Sequence, residues 1–191
     1  MAKVGMRYPV CAPITNENAG AITYGTGCEM GKAISADLTY TRASNVLYAN
    51  DAKAEADNSI TGGTVTFTVD QVTTEGRRVA FGLVMKTVEG GIEYDITDGA
   101  TPYIGMGYIE VLRHNGVEQY RAIWWHKVQF GPQGRSSATR GESITWQTEA
   151  VTGDLMGVQL SDDGKMHFEK VFEATSEKAA MDWLKAKANI A

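Results

Sequence analysis

Residues 60–70 alternate without a break, with Val65, Phe67 and Val69 set against Thr64, Thr66, Thr68 and Asp70. A strict period of two places the apolar set on one face of a half-buried strand. Comparable patterns recur along most of the chain. Residues 6–13 read as a first strand stopped by prolines, and 15–20 as a polar loop. Residues 29–41 read as a second strand, with Ile34, Ala36 and Leu38 against Ser35, Asp37 and Thr39. Between that strand and the next lie residues 43–58, polar and acidic apart from Val46, Leu47 and Tyr48. They read as a long loop, and a loop of that length in a compact domain is usually functional or mobile.

The longest pattern covers residues 102–156. It predicts an antiparallel meander with strands at 103–113, 117–130 and 142–154, the first two joined at His114-Asn115-Gly116. Asn-Gly is the strongest short hairpin signal because both turn residues must reach positive φ. These strands are about twice the usual five or six residues. The excess calls for a covering surface beyond the domain's own core, such as a neighbouring subunit. In the second strand, alternation places Tyr120, Ala122, Trp124, Val128 and Phe130 on one face, with His126 among them. Arg121, Ile123, Trp125, Lys127 and Gln129 fall on the other, and Ile144 and Trp146 share a face of the third strand.

Two segments read as helical. Thr73-Thr74-Glu75 caps a short helix running to about Leu83, with Gly76 and Gly82 weakening it. Ser176 opens a C-terminal helix to about Ala188, with Ala180, Trp183 and Leu184 in one stripe and Lys185 and Lys187 at the negative end of its dipole. Gly90-Gly91 and Asp98-Gly99 mark turns around a short strand at 92–96, and Asp162-Asp163-Gly164 marks a further hairpin. No interdomain linker interrupts these elements. The expected fold is one mainly β domain over residues 1–191, an antiparallel β-sandwich or open barrel with one short flanking helix and a C-terminal helix. Residues 155–191 form its terminal hairpin and helix.

Composition narrows the function. Of 191 residues 43% are hydrophobic and 21% charged, which fits a globular chain. No apolar run approaches the ~18 residues of a membrane span, so no membrane partner is expected. The first residues lack the apolar core of a signal peptide, so synthesis and folding inside the cell are expected. A net charge of −5 argues against broad nucleic-acid binding but suits a surface from which phosphate must slide. A hairpin turning at Ala19-Gly20 would set Cys11 opposite Cys28, and two reduced, buried thiols are expected there.

Candidate chemistry is sparse. The histidines, His114, His126 and His167, have no ligand spacing, so no metal is expected, and His126 reads as a structural residue of an aromatic strand. Gly105-Met106-Gly107 resembles a nucleotide loop, but Glu110 stands where the third glycine belongs and a strand follows. No P-loop or nucleophile elbow is present. The acids are scattered through turns and loops, among them Asp51, Glu55, Asp57, Glu93, Asp95, Asp98, Asp162 and Asp163. No catalytic set and no cofactor is expected. Trp124-Trp125 reads as one core anchor and one interface anchor, with Trp124 assigned to the core and Trp125 to a contact between subunits or with the helix. The alternative is a stacking platform in a carbohydrate- or ligand-binding sandwich. Arg135 and Arg140 flank a polar segment that is either a solvated loop or an arm docking on a neighbour's acidic patch.

Several passages, in order, resemble the major tail proteins that build the tail tube of long-tailed, non-contractile bacteriophages. They are Val4-Gly5-Met6-Arg7-Tyr8-Pro9-Val10, Ala33-Ile34-Ser35-Ala36-Asp37-Leu38, and Leu47-Tyr48-Ala49-Asn50-Asp51 leading to Thr61-Gly62-Gly63-Thr64-Val65-Thr66. Pro102-Tyr103-Ile104-Gly105-Met106-Gly107, the Trp-rich strand and Gly141-Glu142-Ser143-Ile144-Thr145-Trp146-Gln147-Thr148 follow. The resemblance covers the chain to about Asp154. It implies a β-sandwich subunit that forms homo-oligomeric, usually six-membered rings. These stack into a hollow tube in the virion tail, assembled in the bacterial host cytoplasm. The tube's lumen holds a tape-measure protein and then transient DNA. By position, the 43–58 segment would stack rings, with Tyr48, Asn50, Asp51, Glu55 and Asp57 as contact residues, and Trp125, Arg135 and Arg140 would meet neighbouring subunits.

Overall fold

A computed structural model describes residues 2–18, 20–49, 52–132, 134–139, 146–160 and 164–191, with the backbone alone at 45–49 and 52–56. The first strands are β1 (Ala2–Asn18), β2 (Ala21–Tyr24), β3 (Cys28–Glu29) and β4 (Ala33–Arg42). The hairpin β5 (Asn45–Ala49) and β6 (Ala52–Asp57) follows, then β7 (Ile60–Val69), α1 (Thr74–Phe81), and the hairpin β8 (Met85–Val88) and β9 (Gly91–Tyr94). The long strands β10 (Ile104–His114) and β11 (Val117–Phe130) lead to β12 (Glu149–Met156). A small pair, β13 (Val158–Gln159) and β14 (Met166–His167), precedes β15 (Glu169–Ala174) and α2 (Glu177–Ala188). The fold is mainly β, with antiparallel sheets and two helices in a sandwich or open-barrel arrangement.

Local chemistry sets the element ends. The Thr73 hydroxyl accepts the Gly76 amide at 3.0 Å and caps α1, and Gly82, at φ 67°, closes it in the left-handed conformation. The Ser176 hydroxyl accepts the Ala179 amide at 3.2 Å, and Asn189, at φ 52°, ends α2. Between β10 and β11, Asn115 (φ 49°) and Gly116 (φ 81°) form the predicted turn.

The main sheet runs β2-β1-β10-β11-β12-β7-β4, with β3 beside β1 and β15 beside β11. Strand β11 changes partner along its length. Tyr120–Trp125 pair with β15, whereas Lys127–Phe130 pair with β12. The three-stranded meander expected from the sequence is therefore divided. Its third strand begins at Glu149, and Trp146, outside that strand, is 83% exposed. The Ile144 half of that expectation lies outside the described residues. Curling brings α1 and the inner faces of β4, β7 and β12 over β1, β10 and β11, enclosing a core that includes Val65, Phe67, Phe81, Tyr108, Trp125 and Phe130. A second apolar layer, with Ile109, Trp124, Ala180 and Leu184, joins the back of the sheet to α2.

Where β11 changes partner, Ile104 stands opposite Val128 but Met106 opposite Trp125. Two steps on β10 match three on β11, so β11 carries a β-bulge that reverses its alternation. Before the bulge, even positions face α2. After it, Val128 and Phe130 face the main core. Trp124 is in a core as expected, and the expected interface place of Trp125 is corrected. Trp125 is 0% exposed inside the main core, 5.3 Å from the Tyr108 ring centroid. It is unavailable to a neighbouring subunit, and Trp124, also 0% exposed, is the one packed under the helix. The stacking platform of the carbohydrate-binding alternative is closed with them.

Strand β10 is buried from Ile104 to Leu112, covered on both faces. Its Gly105-Met106-Gly107 serves packing. A Cβ on Gly105 would stand 2.4 Å from Trp124 Cζ2, and one on Gly107 would stand 2.7 Å from Leu184 Cδ2.

Other expectations shift in detail. The first strand passes its prolines by bulging between Arg7 and Val10, with Tyr8 at φ 54°, and so runs through the expected 15–20 loop to Asn18. The predicted 43–58 loop is a hairpin with its own two-stranded sheet. Cys11 does stand opposite Cys28, as unbonded thiols 3.7 Å apart.

Candidate assembly surfaces

The outer face of β4, β7 and β12 follows from the alternation of those strands. Val65, Phe67 and Val69 point into the core, so Thr64, Thr66 and Thr68 point out. Register then builds rows across the sheet. Ser35, Thr68 and Ala150 form one, Asp37, Thr66 and Thr152 the next, and Thr39, Thr64 and Asp154 the third. The Thr66 and Thr152 hydroxyls approach to 3.5 Å. The rows contain no lysine or arginine, and Arg42 and Lys127 stand at the borders. At one end Asp70 holds its carboxyl below the ordinary value, because the Lys32 and Gln71 amides donate to it. The surface is thus a hydroxyl carpet with two carboxylates, Asp37 and Asp154.

Strand β4 ends this sheet. Its ladder is to β7, and its other edge has no ladder partner among the described residues. Exposed edges are commonly guarded by proline, lysine or bulges. Residues 33–41 contain neither proline nor lysine, the register slips between Ala33 and Ser35 and again between Thr41 and Arg42, and Ile34 is 50% exposed. At the other end of the fold, β15 pairs with β11 and likewise leaves its second edge unpaired among the described residues.

Of the expected ring-stacking residues, Tyr48, Glu55 and Asp57 belong to the β5–β6 hairpin, which makes no ladder with the main sheet among the described residues. Its base is closed by the Ala43 amide donating to the Ser59 carbonyl at 2.8 Å. Asp57 stays at that base, its carboxylate accepting the Ser59 amide at 2.9 Å. Asn50 and Asp51 lie outside the described residues, as do the side chains of Tyr48 and Glu55. Arg140 also lies outside them. Arg135 is exposed, and its guanidinium donates to the Tyr94 hydroxyl at 3.2 Å, within the same chain.

A groove of about 730 Å³ separates the end of α1 from the β8–β9 hairpin and residues 95–101. Phe81, Leu83, Val84 and Ile96 line it, with Glu93, Asp95 and Asp98 on its acidic side. No sequence signal marked this groove, because its walls come from short elements with no shared periodicity.

Among the described residues no group of three His, Cys, Asp or Glu could hold a metal ion, and no helix is long and apolar enough to cross a membrane. His126 is 5% exposed, with Nδ1 3.4 Å from the Tyr24 hydroxyl. Burial first, then Lys187, His167 and Lys170, push its imidazole down to about 4. Compared with protein-family models and with curated proteins, the chain matches none.

Proposed function

We propose that the chain is the structural subunit of a bacteriophage tail tube, polymerising as stacked, six-membered rings around a lumen. The reading rests on the resemblance of its ordered motifs. The observation that carries it is the cation-free Thr and Asp face beside the edge of β4, which has no ladder partner among the described residues. A tube lining must be continuous, so that no strand edge is left open, and must not hold the phosphates that pass it. Hydroxyls offer short, neutral contacts, and Asp37 and Asp154 repel phosphate. Lateral growth from the β4 edge is heterologous, pairing it with a different edge of the next copy. Such contacts give a ring when the rotation closes. The free edge of β15 is the available counterpart.

In this reading the β5–β6 hairpin reaches the next ring, and the subunit works in the virion tail after assembly in the host cytoplasm. Its partners are further copies of itself, the tape-measure protein and the DNA that crosses the lumen. The mechanism is mechanical, a stiff conduit with no reaction step. Lysine at both Asp37 and Asp154 tests the lining. Tubes of that variant are expected to retain added DNA that wild-type tubes release. Equal retention by the two tubes means this face lies elsewhere.

A further inference from the structure

Cys11 and Cys28 are the chain's two cysteines, and they stand directly opposite each other in the ladder between β1 and β3. Their Sγ atoms are 3.7 Å apart, and both are free thiols. We propose that the pair is a thiol–disulfide exchange site, which a small-molecule disulfide oxidises to a reversible Cys11–Cys28 bond that staples β3 to β1. The proposal is independent of the tube reading.

Reach supplies the first argument. Facing residues of an antiparallel ladder have Cα atoms about 4.5–5.5 Å apart. A disulfide spans about 4.4–6.8 Å between Cα atoms, so the ladder already holds this pair at a bonding span. The Sγ contact puts both side chains on the same face of the ladder. Gly27 keeps the two backbones close, since a Cβ there would stand 2.6 Å from the Cys11 carbonyl oxygen and 2.4 Å from that of Ala188.

Unequal access supplies the second. Cys11 is 0% exposed, whereas Cys28 is half-buried, so a reagent from solvent meets Cys28 first. Contact with the Cys11 thiol holds Cys28 below its ordinary value, and the same contact, then burial, raises Cys11 well above. Arg78 of α1 also favours the Cys28 thiolate, while burial, Glu75 and Glu29 oppose it. Cys28 is thus the attacking thiol and Cys11 the resolving one.

The exchange balances in two steps. The Cys28 thiolate attacks one sulfur of the small disulfide, forming a mixed disulfide and expelling a small thiolate. Cys11 then gives up its proton and attacks Cys28 Sγ, expelling the second. The small disulfide gains two electrons and the two protons of the protein thiols, and leaves as two thiols.

The bond would fix a clasp. Strand β3 makes its ladder with β1 through Val10–Glu29 and Cys11–Cys28. The Thr73 hydroxyl donates to the Glu29 carbonyl at 2.6 Å, and the Thr73 amide to the Met30 carbonyl at 2.9 Å. The Gly27 amide donates to the Ala188 carbonyl at 2.8 Å. The clasp therefore joins β1 to the start of α1 and the end of α2. Bonding residues 17 apart also constrains the unfolded chain.

The test is incubation of the full chain with oxidised glutathione, then with dithiothreitol. The intact mass is expected to fall by two hydrogens, with no thiol left to titrate after denaturation and no dimer on non-reducing electrophoresis. Dithiothreitol should restore both thiols. The oxidised chain should melt about 5 °C higher, as closing a loop of this length implies. Cys11→Ser should stop at a single glutathione adduct on Cys28, and Cys28→Ser should resist the reagent. Wild type that keeps both thiols, carries a lasting glutathione adduct or links into dimers would overturn the proposal. A Cys28→Ser chain that reacts as fast as Cys11→Ser would overturn the order of attack, and an unchanged melting temperature would overturn the staple.

Discussion

The indole of Trp124 lies against the bare Cα of Gly105, where a single added Cβ would stand 2.4 Å from Cζ2. Both residues sit on long central strands, so neither backbone has room to retreat. Gly105→Ala should cost about 1–3 kcal/mol, the range for forcing extra volume into a packed layer. Chemical denaturation with an unchanged m-value would measure it. A variant as stable as wild type would mean that the α2 layer yields easily.

His126 gives the fold a pH dependence with a definite sign. Its folded value of about 4 lies below the 6.5 of a free histidine. The unfolded chain therefore binds more protons between those values, and stability falls as pH drops from about 6.5 towards 4. The loss from this group is at most about 3 kcal/mol. His126→Phe keeps the Tyr24 donor bond, which ends on the main-chain carbonyl. Its melting temperature should fall less than wild type's over that window. An unchanged slope would assign the acid sensitivity to other groups.

Much of this architecture was legible in the chain. The alternation of residues 60–70, the Asn115-Gly116 turn and the Thr73 and Ser176 caps are local signals, and each element formed where its signal stood. Trp124 lies in a core as expected, but the Trp125 assignment failed because it counted Val128 and Phe130 on the face of Trp124. The bulge after Trp125 turns them into the main core beside Trp125, and neither His126 nor Lys127 announces a bulge. Pairing of β11 with β15 depends on partners far apart in sequence, such as Ile123 and Val171, which no local period encodes. Residues 52–57 read as loop because the segment is polar and acidic, yet their register with β5 makes a hairpin. The Thr and Asp surface was half visible: alternation gave the rows of each strand, and the fold placed them side by side.

That hairpin is separable from the main sheet. Replacing residues 45–57 with a short glycine linker should leave the stability of the fold within about 0.5 kcal/mol of wild type, the range for surface changes away from the core. In the proposed tube it should weaken ring stacking, giving short tubes or single rings by electron microscopy. Full-length tubes from this variant would remove the stacking role.

The β4 edge can be blocked without touching the core. Ile34 is half exposed, and Ile34→Lys adds the charge that commonly guards free edges. The subunit should fold with wild-type circular dichroism and remain monomeric in sedimentation at concentrations where wild type associates. Association equal to wild type would place the lateral contact elsewhere.

The central claim is most directly tested by negative-stain electron microscopy of the concentrated wild-type chain. The account predicts hollow tubes built from stacked, six-membered rings, with an axial channel. A population that stays monomeric at every concentration and ionic strength, with no ring or tube in the images, would contradict it.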